Sequence, residues 1–488
     1  MIFELRERTT VHPVIGWNGL KQTSVLLGLA FLLTSPLIAQ QQQPGYIDPG
    51  YLWIKDLLSE NRKERRAASE KIIESGDKGL LFGIVDALFF IPAPLRKEAF
   101  VTLEGLTGET PGTSYWNWVE LAGRLGEELR PTPGYDRWKV ILLSKIDEGY
   151  GDILYEGATR RIRLEEVVPG GVRIDGIPSL DDPPMVPATE AGYLKDDEDV
   201  FGVVLDGEAK AYPLRFLDWH EMLNDQIAGR PITLSYCTLC GSGVLYSTGL
   251  GNGTVRRFAT SGLLYRSNKL MFDRQTRSLW SNLYGEPVIG RLADEPERHR
   301  LDILPMTRTT WLDWRRRHPE TTVVDLTKAL KKEGRQFGFD YRPDKANQAR
   351  QGVRFPVWKQ SRALPPETEV YTLRLGDAVR AYPLDLLLQE GLVNDRVGDQ
   401  DVVLIADADN GAVRAYHRRG RFRPGADGTL MDSDDRVWQV GEESLEPVAF
   451  EAEPLERLPG HFAFWFGWYA FFPRTEIYEG STVTDLGS

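Results

Sequence analysis

The sequence has few of the residues that carry thiol or metal chemistry: two cysteines and six histidines among 488 residues. A chain of this length can bury a core large enough to fold without covalent cross-links. Its content of 41% hydrophobic and 27% charged residues is typical of a folded globular protein. The length predicts about two to four domains.

Several common catalytic and binding motifs are also missing. The sequence contains no Gly-rich phosphate loop, no Gly-x-Ser-x-Gly elbow and no His-Glu-x-x-His helix, which argues against the common nucleotide-binding, hydrolase and zinc-protease classes. The formal net charge is −12. Nucleic-acid binding needs a clustered basic surface, so no nucleic-acid partner is expected.

The N-terminal segment has the pattern of a secretory signal peptide. Lys21 precedes an apolar run over residues 25–33, and a Ser-Pro break and Ala39 follow. We expect residues 1–39 to be cleaved and the protein to be extracytoplasmic, either periplasmic or secreted. The apolar run is too short for a stable membrane span, so none is expected after cleavage. An uncleaved signal that anchors the protein to the membrane is the alternative.

The composition changes near residue 150. Residues 45–150 contain paired helical runs such as 61–73 and 79–88, which predict either a HEAT-type helical stack or a plain helical cap. This region also offers a surface for a protein partner. From residue 151 onwards, short β-type runs are separated by Gly, Pro and Asp. The predicted fold class is therefore α+β, with a helical region followed by mainly β modules.

The β-rich part contains an internal repeat. The stretch Leu205 to Asp225, LDGEAKAYPLRFLDWHEMLND, returns 170 positions later as LGDAVRAYPLDLLLQEGLVND. Farther along, Trp311 and Trp314 return as Trp465 and Trp468. We therefore expect two tandem modules related by duplication, over residues 151–340 and 341–488.

Only the first module carries a Cys-x-x-Cys-Gly sequence. Cys237 and Cys240 lie between β-type runs, a pattern typical of a metal-binding turn in which glycine permits a tight bend. The second copy has Asp407 and Asn410 at these positions and Glu390 in place of His220. The module therefore does not need these three residues in order to fold.

His220 is the remaining ligand candidate. We expect it on a helix after Pro213, whose apolar stripe comprises Phe216, Trp219, Leu223 and Ile227. A set of Cys237, Cys240 and His220 would hold a transition metal, zinc or copper, and leave one tetrahedral position open.

Three functions stay open at this point. The first is a metal-binding module, with or without metal-dependent catalysis. The second is a thiol-disulfide oxidoreductase that uses Cys237 and Cys240. The third is a non-catalytic extracytoplasmic scaffold, with the helical region and the aromatic-rich run His461 to Phe472 as contact surfaces. The cysteines would then be an inert disulfide or a structural pair, and His220 a hydrogen-bonded core residue. No catalytic residue and no organic cofactor site is assigned.

The first module resembles a known family. The resemblance rests on Ala211-Tyr212-Pro213-Leu214, Trp219-His220-Glu221, Asn224-Asp225, Tyr236-Cys237-Thr238-Leu239-Cys240-Gly241 and Asp273-Arg274. These motifs are similar to those of the domain-of-unknown-function family 3179, over residues 170–319. That family usually has proline where this chain has Thr238. The resemblance implies an exported protein of unresolved activity and supplies no catalytic residues.

Overall fold

The N-terminal part of the chain is helical. A computed structural model describes residues 46–249, 253–325, 355 and 357–481. The expected signal peptide, residues 1–39, lies outside this range, so export remains a prediction. The described α-helices before the first described strand are α1 (Pro49–Leu57), α2 (Arg62–Ser75), α3 (Leu80–Phe90), α4 (Lys97–Thr107), α5 (Tyr115–Leu125), α6 (Tyr135–Leu143) and α7 (Tyr150–Ile153).

Helix α3 is the centre of the helical region. It is apolar around its whole circumference, which is typical of a buried helix, and every residue from Leu80 to Leu88 is buried. Its one charged residue, Asp86, pairs with Lys139 at 2.9 Å and accepts a hydrogen bond of 2.6 Å from Tyr135. A buried charge needs such partners, so these contacts join α3 to α6. The HEAT-type arrangement remains a prediction.

The first β-rich region follows the helices and forms three five-stranded sheets within the described residues. The sheet orders are β1-β9-β10-β11-β12, β13-β8-β7-β6-β2 and β14-β4-β5-β15-β3. Its strands are β1 (Val167–Pro169), β2 (Leu180–Asp181), β3 (Met185–Pro187), β4 (Asp199–Leu205), β5 (Glu208–Pro213), β6 (Met222–Ile227), β7 (Arg230–Cys237), β8 (Ser242–Ser247), β9 (Phe258–Tyr265), β10 (Asn268–Asp273), β11 (Leu279–Ser281), β12 (Pro287–Ile289), β13 (Ile303–Leu304), β14 (Thr307–Thr310) and β15 (Thr322–Val324). Its helices are α8 (Leu214–His220), α9 (Pro296–His299) and α10 (Trp311–Arg317).

The second β-rich region contains a four-stranded sheet, β26-β16-β17-β27, and an eight-stranded sheet, β18-β19-β20-β25-β24-β23-β22-β21. Its strands are β16 (Glu369–Leu375), β17 (Ala378–Pro383), β18 (Leu392–Val397), β19 (Gln400–Ala406), β20 (Val413–His417), β21 (Phe422–Pro424), β22 (Leu430–Asp432), β23 (Val437–Val440), β24 (Ser444–Pro447), β25 (Leu455–Leu458), β26 (His461–Phe464) and β27 (Glu476–Ile477). Its helices are α11 (Leu384–Glu390) and α12 (Trp465–Phe471). The predicted α+β class, helical first and β-rich afterwards, is confirmed.

The two β-rich regions share one strand topology. In each, a hairpin (β4–β5 or β16–β17) is flanked by an antiparallel strand on one side and a parallel strand on the other. The register also matches: Gly202 pairs with Thr307, and Thr372 pairs with His461. An internal duplication would produce this arrangement.

The two β-rich regions also share a Trp–Asp hydrogen bond that the sequence repeat does not align. The indole Nε1 of Trp280 donates to Asp273 at 2.9 Å, and that of Trp438 donates to Asp432 at 3.0 Å. In each region the strands follow one another in antiparallel order, β9-β10-β11-β12 and β21-β22-β23-β24. The similarity therefore extends beyond the residues that the repeat aligns.

The expected helix after Pro213 forms but is shorter than its apolar stripe predicts. It ends at His220, because Glu221 takes a left-handed conformation with φ +55°. Leu223 and Ile227 lie on strand β6 and pair with β7, so the prediction of a helical stripe through them is wrong. Over so few residues, apolar spacing fits a strand as well as a helix.

The second β-rich region covers the cysteine turn of the first. The Phe464 backbone N–H donates a hydrogen bond of 2.8 Å to the Cys240 carbonyl. Helix α12 also approaches so closely that a Cβ on Gly467 would lie 2.4 Å from the Cys240 Cβ. Only glycine permits this contact.

Candidate functional site

The two cysteines lie at the turn between β7 and β8. Cys237 ends β7 and pairs with Ser242, the first residue of β8. The turn between them is tight, and Gly241 takes φ +59°, a conformation that favours glycine. Both sulfurs belong to free thiols, and the exposed fractions of Cys237 and Cys240 are 1% and 0%.

Polar side chains surround the Cys240 sulfur. The Asn268 side-chain amide donates to it at 2.9 Å, and the Ser242 hydroxyl lies 3.3 Å from it. Asn282 in turn donates to the Asn268 side-chain oxygen at 3.1 Å. This buried network holds Cys240 in one position, because each buried polar group needs a partner.

The two thiols differ strongly in acidity. Burial raises the pKa of Cys237, but a hydrogen bond from the Cys240 thiol, the charge of Lys269 and the Lys269 backbone N–H outweigh burial and leave that pKa below its ordinary value. Burial and the neighbouring Cys237 raise the pKa of Cys240 well above its usual range. Of the two thiols, Cys237 is therefore the one that loses its proton more readily.

A buried lysine and carboxyl group lie beside this pair. The Lys269 Nζ is 3.8 Å from a Glu221 side-chain oxygen and also donates to the Glu221 backbone carbonyl. Burial lowers the pKa of Lys269 to about 8, although Glu221 and both cysteines favour its charged form. Burial also raises the pKa of Glu221, against the charge of Lys269 and a hydrogen bond from Thr238. With a pKa of about 8, Lys269 is thereby suited to proton transfer near neutral pH.

A cleft of about 110 Å³ reaches this lysine and carboxyl group. Its lining includes Glu221, Thr238, Leu239 and Lys269. The cleft thus lies beside the thiol pair: Thr238 and Leu239 are the two residues between the cysteines, and Lys269 and Glu221 act on the Cys237 sulfur. Its size fits a small solute or a slender chain rather than a folded surface.

His220 has a different contact. Its Nδ1 lies 2.8 Å from the Pro178 carbonyl oxygen, and burial lowers its pKa. Among the residues that the structure describes, no group of three or more His, Cys, Asp or Glu side chains is arranged to hold a metal ion. The structure thus brings Cys237 and Cys240 together, and their Cys₂His set with His220 remains a prediction.

Sequence reasoning missed three residues of this site: Glu221, Asn268 and Lys269. Glu221 follows His220 directly, and its type is equally typical of a solvated or capping residue. Asn268 and Lys269 come about thirty positions after Cys240 on strand β10, and they belong to no motif. Their proximity depends on how two sheets pack, which no local spacing reveals.

The second module has a hairpin at the matching place. There Asn410 donates to the Asp407 carboxylate at 2.7 Å, and the Asp409 backbone N–H donates to it at 3.0 Å. Gly391 stands at the position of Glu221. The same turn is therefore closed without thiols and without the acid at its side.

Comparison with known proteins yields one match. A family model described as "Protein of unknown function (DUF3179)" matches residues 174–475, more than half of the chain. The resemblance in the motifs ends near residue 319, whereas the family model continues through the second β-rich region. That region lacks the cysteine motif, so the motifs alone could not extend the match. No curated protein and no solved structure matches. In the described part of the chain, no helix is long and apolar enough to cross a membrane.

Proposed function

The chain belongs to the DUF3179 family of proteins of unknown function, and we propose, from the geometry of its own site, that it is a thiol-disulfide oxidoreductase. The redox pair is Cys237 and Cys240. The observation that carries the proposal is the buried pair of free thiols beside Lys269 and Glu221. The pKa of Cys237 is lowered and that of Cys240 is raised, which fits an attacking and a resolving thiol. A thiolate is the attacking species in disulfide exchange, and its neighbour then resolves the intermediate.

In the first step, the Cys237 thiolate attacks one sulfur of a substrate disulfide. A bond forms between Cys237 and that sulfur, the substrate S–S bond breaks, and the departing thiolate takes a proton from the Lys269 ammonium. A donor with a pKa of about 8 suits this transfer near neutral pH.

In the second step, the now neutral Lys269 amine takes the proton of Cys240. The Cys240 thiolate attacks the Cys237 sulfur, the protein disulfide forms, and the second substrate thiolate leaves. The substrate disulfide gains two electrons and the protein pair loses two. Glu221 stabilises the Lys269 ammonium before and after the cycle, because the carboxylate lies 3.8 Å from it.

The cleft limits the substrate. Both sulfurs are almost fully buried, and the cleft beside them has a volume of only about 110 Å³. The expected substrate is therefore a small disulfide or a disulfide on an extended chain.

Metal binding by Cys237, Cys240 and His220, with zinc or copper as the metal, is the competing prediction. It requires the Nε2 atom of His220 to reach the sulfurs, and the contact of its Nδ1 with the Pro178 carbonyl is compatible with such a role. Among the described residues, however, no group of three His, Cys, Asp or Glu side chains is arranged to hold a metal ion. The two proposals differ in one measurable quantity, the metal content of the reduced protein.

Trapping of the mixed disulfide tests the redox proposal. Cys240→Ser keeps the attacking thiol and removes the resolving one, so it should hold a small disulfide as a stable adduct that mass spectrometry detects. Cys237→Ser is the matched control and should form none. Equal labelling of both variants, or of neither, would overturn the assignment of roles.

Elemental analysis tests the metal alternative on the same preparations. We expect less than stoichiometric zinc or copper after reduction and exposure to either metal. One tightly bound metal ion per chain, lost in His220→Asn, would favour the metal site instead. Asparagine keeps a side-chain donor for the Pro178 carbonyl, so this variant tests ligation rather than folding.

We further propose that the two β-rich modules arose by duplication and that only the first keeps the thiol site. The common topology and the equivalent Trp–Asp hydrogen bonds support this history. The signal-like N-terminal segment supports an extracytoplasmic protein whose mature chain begins near Gln40. Cell fractionation with N-terminal sequencing tests that location, and a full-length chain in the cytosol would contradict it.

A further inference from the structure

The two modules differ at one sheet edge. In the first, the short strand β2 lies parallel to β6, with Leu180 opposite Leu223 and Asp181 opposite Asn224. In the second, the counterpart of β6 is β18, which is the outermost strand of its sheet among the described residues. Asn224 is buried, whereas Asn394 at the matching position of β18 is only half-buried. In the described part of the second module, no strand therefore covers this edge.

The second module nevertheless has the same residues at the positions that contact the covering strand β2 in the first module. Asn224 donates to the Phe258 carbonyl at 2.9 Å and accepts from the Phe258 N–H at 3.0 Å. Asn394 makes the same two bonds with Phe422, both at 2.8 Å. An arginine precedes each phenylalanine: Arg257 in the first module and Arg421 in the second.

In the first module these residues bind two consecutive aspartates. Asn224 donates to the Asp181 carboxylate at 2.6 Å, and Arg257 pairs with the Asp182 carboxylate at 2.7 Å. The Asp182 backbone N–H also donates to the Asn224 carbonyl at 2.8 Å. The covering strand is thus held by backbone pairing together with two carboxylates.

An open groove of about 520 Å³ lies at this edge of the second module. Its lining includes Leu392, Asn394, Arg421, Arg423, Ser433 and Ser481. Its two carboxylates already have partners. Glu390 accepts a hydrogen bond of 2.8 Å from Tyr478, and Asp432 is bonded to Arg436 at 2.8 Å and to Trp438 at 3.0 Å.

We propose that this groove binds an extended acidic segment of a partner protein by adding a strand to β18. The segment runs parallel to β18, its apolar residue lies opposite Val393, and two consecutive aspartates meet Asn394 and Arg421. Strand addition at an exposed edge is a common mode of peptide recognition. The chain's own residues 326–354 do not fit this chemistry, because they carry eight Lys or Arg and three Asp or Glu. The proposal is independent of the thiol site.

Fluorescence anisotropy with the full chain tests the proposal. The probe is a labelled peptide with capped ends, Gly-Ile-Pro-Ser-Leu-Asp-Asp-Pro, the sequence of residues 176–183. We expect saturable binding that weakens with added salt, and about tenfold weaker binding for a peptide with both aspartates changed to asparagine, because charge-assisted hydrogen bonds are lost. Equal affinity for the two peptides, or no saturation, would overturn the proposal.

Variants locate the binding site. Arg421→Gln, at an exposed position, should weaken binding about tenfold. The matched control is Arg257→Gln, the equivalent change in the first module, which should leave peptide affinity unchanged. Loss of affinity in the control alone would mean that the peptide displaces β2, and tenfold tighter binding after deletion of residues 482–488 would assign the groove to the chain's own tail. Either result contradicts the proposal.

Discussion

Asn410 donates a hydrogen bond of 2.7 Å to Asp407 across the hairpin turn of the second module, at the two positions that Cys237 and Cys240 occupy in the first. Side chains without sulfur can therefore close this turn. What distinguishes the first module is the surroundings of the turn, since Lys269 and Glu221 act on the Cys237 sulfur. In the proposed oxidoreductase, the thiol chemistry thus depends on the residues around the turn and not on the turn itself.

Transplanting the cysteines tests this attribution. Residues 369–481 contain no lysine that could lower the pKa of the new thiols in the double variant Asp407→Cys with Asn410→Cys. Gly391 stands at the position of Glu221, which raises the pKa of Cys237 in the first module. We expect their pKa values to stay in the ordinary thiol range, about 8.5. The pH dependence of alkylation, measured with Cys237 and Cys240 changed to serine, gives these values. A strongly lowered pKa in the transplanted pair would show that the turn alone is sufficient.

Removing the lysine charge should make Cys237 less acidic. In Lys269→Met the long side chain still fills its buried place, but the cation that stabilises the thiolate is gone, so the Cys237 pKa should rise by about one unit. Lys269→Arg keeps the positive charge, so the Cys237 pKa in this variant should stay close to that of the wild type. Ultraviolet thiolate absorbance against pH measures both. The same Cys237 pKa in the wild type and in both variants would show that Lys269 does not act on this thiol.

Gly467→Ala, a change in helix α12 of the second module, should destabilise the packing of that helix against the cysteine turn. The added Cβ would lie 2.4 Å from the Cys240 Cβ, so the free energy of unfolding should fall by about 1–3 kcal/mol through overpacking. Gly192→Ala is the control, because no atom lies within 4 Å of the position of its Cβ. Denaturant unfolding compares the two. Equal stability would mean that α12 moves away from the cysteine turn at little cost.

Asp218→Asn should change how stability depends on pH. Burial, with Asp199 and Glu221 nearby, raises the pKa of Asp218 from 3.8 to about 8. A raised pKa means that the folded protein holds this proton more tightly than the unfolded chain, so the stabilisation is complete below about pH 4 and is lost as the pH rises towards 8. The unfolding free energy of the variant, relative to that of the wild type, should therefore rise between pH 5 and pH 8 by an amount on the order of 2 kcal/mol. A difference in unfolding free energy that is constant with pH would contradict the shift.

The sequence predicted what depends on local pattern and on repetition. The change from helices to strands, the hairpin around Cys237 and Cys240 and the start of α8 all follow from spacing and turn residues. The prediction from sequence was wrong where a residue spacing fits both a helix and a strand. Leu223 and Ile227 have the spacing of a helix, although they lie on β6. The prediction also missed Lys269 and Asn268, because contacts between sheets leave no signature along the chain.

The groove beside β18 shows a third kind of limit. The sequence repeat aligns Asn224 with Asn394, and the two residues make equivalent hydrogen bonds in the two β-rich regions. What the alignment could not reveal is that β2 covers the first and that no described strand covers the second. Coverage of an edge is a property of the folded chain.

The most direct test of the thiol account is a redox titration of the purified full chain. The protein is equilibrated in glutathione buffers of graded potential, the free thiols are alkylated after acid quenching, and the mass of the intact chain gives the number of alkyl groups. We expect a reversible two-electron transition between a form with two alkyl groups and a form with none, and its loss in both Cys237→Ser and Cys240→Ser. Two free thiols at every potential would contradict the account.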